Sequence, residues 1–138
     1  MAEASRQAWT DAFEAKSSDA FADAFAEDVV LEASTLRKPI HGRADVALVM
    51  GTASSNYQSL TFTHEATNGL RSYVEWEAVM PGVPPLSGST ILVRDEAGKI
   101  VRAIIQHRPL DGVLAFSARM SELLAGSPID PDVFYTEP

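Results

Sequence analysis

At 138 residues, with 46% hydrophobic and 22% charged side chains, the chain is long enough for one domain with a real core and has a globular balance. Its 11 basic residues against 19 acidic ones leave a formal charge of −8, which argues against nucleic acid or an anionic membrane as partner. The absence of cysteine excludes disulfides and thiolate metal sites, and it fits a reducing cytoplasm.

The opening Met1-Ala2-Glu3-Ala4-Ser5-Arg6 lacks the basic stretch and apolar run of a secretory signal. No apolar run approaches the ~20 residues of a membrane span, so a cytoplasmic location is expected. From about residue 5 to 16, Trp9, Ala12 and Phe13 fall on one helical stripe. Ser17-Ser18-Asp19 interrupts it and offers an N-cap to a second short helix carrying Phe21, Ala24 and Phe25. Val29 to Ala33 alternates as a strand, and Ser34 to Gly42, with Pro39, reads as a loop. A third helix places Val46, Val49, Met50, Ala53 and Tyr57 on one face.

Ser59 to Ala66 and Leu70 to Met80 alternate on either side of Asn68-Gly69, a hairpin signal. Pro81-Gly82-Val83-Pro84-Pro85 must be a turn or loop, because proline cannot pair inside a sheet. Ser89 to Arg94 and Ile100 to Arg108 form a second hairpin around Asp95-Glu96-Ala97-Gly98. A last helix from Asp111 to Leu124 turns Val113, Leu114, Ser117, Met120 and Leu124 inward and stops at Gly126 and Pro128. In the tail, residues 127–138, Phe134 and Tyr135 can fold back onto the body. The order α-α-β-α-β-β-β-β-α predicts a single α+β domain over residues 1–138, with an antiparallel sheet and helices on one side of it.

Three segments carry a family resemblance: Phe25-Ala26-Glu27-Asp28-Val29-Val30-Leu31-Glu32, Ile40-His41-Gly42-Arg43-Ala44-Asp45-Val46, and Asp95-Glu96-Ala97-Gly98-Lys99-Ile100-Val101 followed by His107-Arg108-Pro109-Leu110. In this order they resemble SnoaL-like members of the nuclear transport factor 2-like superfamily, from Trp9 to Leu124. The resemblance implies a cone-shaped domain whose strongly curved sheet wraps around the N-terminal helices and an apolar pocket. It also implies a homodimer pairing through the outer sheet face. The superfamily holds ketosteroid isomerases, limonene epoxide hydrolases, polyketide cyclases, dehydratases and pocket proteins without known reaction, so fold alone does not give activity.

Strand alternation assigns the faces. Val29, Leu31 and Ala33, then Leu60, Phe62, His64 and Ala66, then Val74, Trp76, Ala78 and Met80, then Val101, Ala103, Ile105 and His107, should look inward. Glu32, Glu65, Glu75, Glu77, Arg71, Arg102 and Arg108 collect on the other face, with Tyr73 and Ile104, either solvated or forming the dimer surface.

Ketosteroid isomerase chemistry uses tuned pocket carboxyls. The resemblance places its strand aspartates and helix-one tyrosine at Ala33, Thr90 and Trp9, none of which can do that proton transfer. The Asp-Arg-Asp set of limonene epoxide hydrolases has no counterpart on an inner face, unless the register slips by one residue. His107, near the end of the last strand, is the candidate general acid or base; a core-edge histidine bonded to a neighbour fits the same position. Thr90 is a weaker catalytic candidate that would supply a hydroxyl. His64, at the far end of its hairpin, can equally be wet and structural, and His41, in the loop before the third helix, could reach the pocket mouth.

Trp9, Phe13, Val46, Met50, Phe62, His64, Trp76, Thr90, Leu92 and His107 are the expected ligand-binding set, and each apolar member is equally a core residue. The two indole N–H groups would be lone donors beside flat ring walls. Only His64 and His107 could converge on a metal, and no carboxylate joins them, so neither metal nor cofactor is expected. The expected function is to bind a small hydrophobic molecule, cyclic ones included. The alternatives are a cyclase, isomerase or dehydratase using His107, and a protein-interaction module using the charged face.

Overall fold

The computed structural model describes residues 2–136, with side chains described from residue 8 onward. The elements are α1 (Ala2–Ala15), α2 (Ser18–Ala24), β1 (Phe25–Ala33), β2 (Ile40–His41), α3 (Arg43–Asn56), β3 (Ser59–Asn68), β4 (Arg71–Val79), β5 (Leu86–Arg94), β6 (Ile100–Arg108) and α4 (Leu110–Leu123). A short 3-10 turn, Pro131–Val133, follows. The strands form one sheet in the order β2-β1-β6-β5-β4-β3.

Ser17 caps α2 as its sequence predicts, its side chain accepting the Ala20 N–H at 3.4 Å. The strand after it starts at Phe25 rather than Val29, so Phe25 serves both as helix cap and as a fully buried strand residue. The expected loop contains the short strand β2, whose Ile40 and His41 pair antiparallel with Leu31 and Val30. The sheet is not antiparallel throughout, because β1 runs parallel to β6. Hairpins constrain only strands that follow one another, and no hairpin joins β1 to β6.

Alternation holds along β4, where Ser72, Val74, Trp76 and Ala78 are buried and the residues between them exposed. It fails in two places, each a register shift. Between Phe62 and His64 the β3–β4 pairing skips Thr63, so that Phe62 opposes Trp76 but His64 opposes Glu75 on the outer face. Between Val93 and Arg94 the β5–β6 pairing skips Val101, and Ile100 takes the buried place expected of Val101. An extra residue bends its strand and increases twist, which is how a sheet curves around helices. The first hairpin turns on Gly69-Leu70, one residue later than Asn68-Gly69 suggests, with Asn68 paired to Arg71 and Gly69 at φ 60°.

On α4, Val113, Phe116, Ser117 and Met120 are buried, while Leu114 is exposed. The inward stripe therefore runs through Phe116 in place of Leu114. Beyond α4 the chain returns to the body. Phe134 is buried and bridges Leu36, the Arg37 N–H donates to the Val133 carbonyl at 2.7 Å, and Tyr135 stays partly exposed. Buried Ser117 fastens this return, donating to the Thr35 carbonyl at 2.7 Å and accepting the Tyr135 N–H at 2.8 Å.

Candidate functional site

The concave side of the sheet, α1, α3, α4 and the returning tail line a partly open cavity with about 40 Å³ of space for water-sized occupants. That is room for roughly three waters, well below the ~150 Å³ of a cavity known to admit benzene. A ring can enter only if wall side chains move. Among the described residues, those lining the cavity include no Asp, Glu, Lys or Arg. Its polar side chains are Trp9, Thr35, Tyr57, Trp76, Thr90 and His107.

Trp76 reaches the cavity from β4 because its β5 neighbour is Gly88. A Cβ there would collide with the Gln106 carbonyl oxygen and lie 2.6 Å from the indole ring. The indole N–H of Trp76 donates to Thr90 Oγ1 at 3.0 Å. It is therefore not a lone donor. Thr90 accepts that bond and keeps its own hydroxyl proton for an occupant. Trp9 is different: its indole nitrogen is buried with no hydrogen-bond partner.

His107 stands between two rings, with centroids 5.2 Å from both Trp76 and Phe116. Its Nδ1 lies 3.1 Å from Ser34 Oγ, which also accepts the His107 backbone N–H at 2.8 Å. The Ser34 side of the ring is thus Nδ1, and Nε2 is the nitrogen left for the cavity. Burial lowers the imidazole pKa to about 4, with the Ile105 carbonyl pulling the other way, so the ring is neutral at pH 7. If Ser34 donates to Nδ1, Nε2 carries the proton and acts as a donor. With the proton on Nδ1, Nε2 is a lone pair.

Tyr57, the C-cap of α3, faces Phe116 with centroids 6.0 Å apart and planes at 27°. Burial pushes its phenol pKa up, and no neighbouring charge or hydrogen bond opposes the shift. A neutral, buried phenol that keeps its proton is a donor.

Of the residues expected to bind a ligand, Trp9, Phe13, Met50, Phe62, Trp76, Thr90 and His107 line the cavity. Val46 and Leu92 are fully buried but belong to the core rather than the cavity wall. The inward placement of His64 is corrected. Its side chain is 78% exposed and pairs with Glu75 at 3.2 Å, because the skipped Thr63 turns it to the outer face. His41 is likewise exposed and lies away from the cavity. Ala33, Thr90 and Trp9, where the resemblance puts proton-transfer groups, all face the cavity without a carboxyl or phenol among them.

Sequence reasoning missed Tyr57, Phe116, Phe134 and the orienting Ser34 as site residues. Tyr57 was within reach, since it shares the helical stripe of Met50 and Ala53. Ser34 and Phe134 come from a loop and a tail, where no periodicity gives direction.

The model of the SnoaL-like domain family matches residues 7–103. Among solved structures, a steroid Δ-isomerase from Pseudomonas aeruginosa aligns with a TM-score of 0.82 at 21% identity, over 90% of this chain and 91% of that one. An uncharacterised protein with a cystatin-like fold from Silicibacter pomeroyi gives 0.82 at 20% identity, over 88% and 86%. A de novo designed protein with a curved β-sheet gives 0.71 at 17% identity, over 89% and 96%. At these identities the likeness shows the fold alone. No curated protein matches. The family match ends before His107, Phe116 and Phe134, which close one side of the cavity.

Proposed function

The chain belongs to the SnoaL-like domain family, and on that premise we propose that it holds a small, uncharged, ring-bearing molecule whose oxygen accepts hydrogen bonds in the cavity. The observation that carries this reading is the lining: aromatic and aliphatic walls without a formal charge, yet with Tyr57, Thr90 and His107 able to donate. An anion would meet no cation there, and a cation no carboxylate. The steroid Δ-isomerase relative makes steroids one class to test, but the small cavity and the residues at Ala33, Thr90 and Trp9 favour smaller molecules bound without carboxyl chemistry.

Phenol is the direct probe. Titration calorimetry should show binding to the wild-type protein. Tyr57→Phe and Thr90→Val should each weaken it by about 1 kcal/mol, the usual worth of a hydrogen bond. Unaltered affinity in both variants would remove the donor account.

A second reading, a cyclase, isomerase or dehydratase, is favoured by one feature: Ser34 and two flanking rings hold His107 in one orientation. In that reading His107→Ala abolishes turnover while phenol binding persists, and equal loss of both makes the residue a wall.

The proposal further has residues 1–138 act as one cytoplasmic domain with 127–138 as a packed tail, needing no metal or cofactor and contacting neither nucleic acid nor membrane. No helix among the described residues is long and apolar enough to cross a membrane. A homodimer through the outer sheet face would cover the exposed Tyr73 and Val79. A solution mass of one chain would exclude that dimer and leave the face to another protein.

A further inference from the structure

The cavity has one thin wall. Phe13, Tyr57, Leu60 and Phe62 line the cavity on one side and, on the other, a surface groove of about 180 Å³. Phe13, Leu60 and Phe62 are each only half-buried, unlike Phe134 on the opposite wall. The groove is otherwise lined by Glu14, Lys16, Ser54, Gln58 and Ser59, so it is polar where the cavity is apolar.

Three features make this wall the one that gives. β3 is an edge strand, paired on one side only. Its pairing is interrupted next to Phe62, where Thr63 is skipped. Across the groove, Lys16, the residue after α1, lies in the left-handed region at φ 52°, a costly conformation for a residue other than glycine. Lys16 is tied to the end of α3 by its Nζ, which donates to the Tyr57 carbonyl at 3.3 Å, while the single Ser55 hydroxyl proton is shared between the Gly51 carbonyl at 2.8 Å and the Lys16 carbonyl at 3.1 Å.

We infer that the occupant is a two-part molecule that displaces the Phe13–Phe62 wall, seating its ring in the cavity and an uncharged polar end in the groove. The cavity alone is too small for a ring, and the groove is the adjoining space. Glu14 and Lys16 balance each other in charge, which favours a hydroxyl or amide over an ionised end. The inference rests on the pocket reading above and extends it to the shape of the ligand.

The test compares three probes that share one ring: phenol, 4-(3-hydroxypropyl)phenol and 3-(4-hydroxyphenyl)propionate. With three methylenes partly buried, the hydroxypropyl compound should bind wild-type protein about ten-fold tighter than phenol. The propionate should gain less than the alcohol. Ser59→Trp, at an exposed edge position, should reduce the alcohol-to-phenol affinity ratio to near unity by filling the groove. Equal affinity of phenol and the alcohol for wild-type protein would overturn the two-part ligand while leaving the pocket intact. Failure of all three probes to bind would overturn the pocket reading itself.

Discussion

The end of β6 and the far half of the β3–β4 hairpin carry the same kind of signal and come out opposite. Each presents a histidine that strict alternation turns inward, His107 on β6 and His64 on β3. His107 lies between Trp76 and Phe116 against the cavity, and His64 lies outside against Glu75. The difference is one residue. From Ala103 to His107 the β6 pairing with β5 is unbroken, whereas Thr63 is skipped just before His64. A period of two gives the face of a residue only as far as the next bulge.

The comparison can be broken from the His107 side. Gly88→Ala puts a methyl against the Gln106 carbonyl and the Trp76 ring, in a strand already closely packed. Displacing Trp76 and the β5–β6 pairing should cost about 3 kcal/mol or more, read as a lowered urea midpoint. A loss below about 1 kcal/mol would mean that Trp76 is not held by this contact.

Acid sharpens it. The folded-state pKa of His107 is about 4, against an ordinary value of 6.5. Unfolded chains therefore take up the proton first as pH falls. This contribution to stability is complete above pH 6.5 and is lost progressively down to pH 4, on the order of 3 kcal/mol at most. Urea titrations at pH 7 and pH 4.5 should show the loss, and His107→Gln should remove that part of it. The same pH dependence in His107→Gln would assign it to other groups.

On the His64 side the expected effect is the smallest. An exposed side-chain contact contributes little, so His64→Gln should change stability by less than about 0.5 kcal/mol and leave phenol binding unaltered. Diethyl pyrocarbonate should modify His64 readily and His107 slowly. Deleting Thr63 restores unbroken pairing with His64 still opposite Glu75, so the reactivity of His64 should stay high. Slow modification of His64 in the wild-type protein would place it inside after all.

Much of the cone was legible in the sequence. β4 and β5 keep a clean period of two, so Trp76 and Thr90 could be assigned to the cavity from alternation. The capping Ser17 and the Asp95–Gly98 turn have local chemistry that sequence reveals, with the Lys99 N–H bonded to the Asp95 carboxylate at 3.0 Å. What was not legible depends on distant partners. The direction of β1 is set by β6, some seventy residues away in the chain, and β2 exists only because Val30 and Leu31 are there to pair with it. Phe116 displaced Leu114 because the tail and Tyr57 pack on that side of α4. Ser34 orients His107 from a strand end that carries no periodic signal.

The central claim is that a neutral His107 turns its Nε2 to an occupant of an uncharged cavity. Nitrogen-15 NMR of the imidazole groups at pH 7, with and without phenol, tests it most directly. The account predicts a neutral His107, with phenol shifting its Nε2 resonance and leaving His64 unmoved. A charged ring or no response of Nε2 to phenol would contradict it, while a proton on Nδ1 would favour His107 as a base.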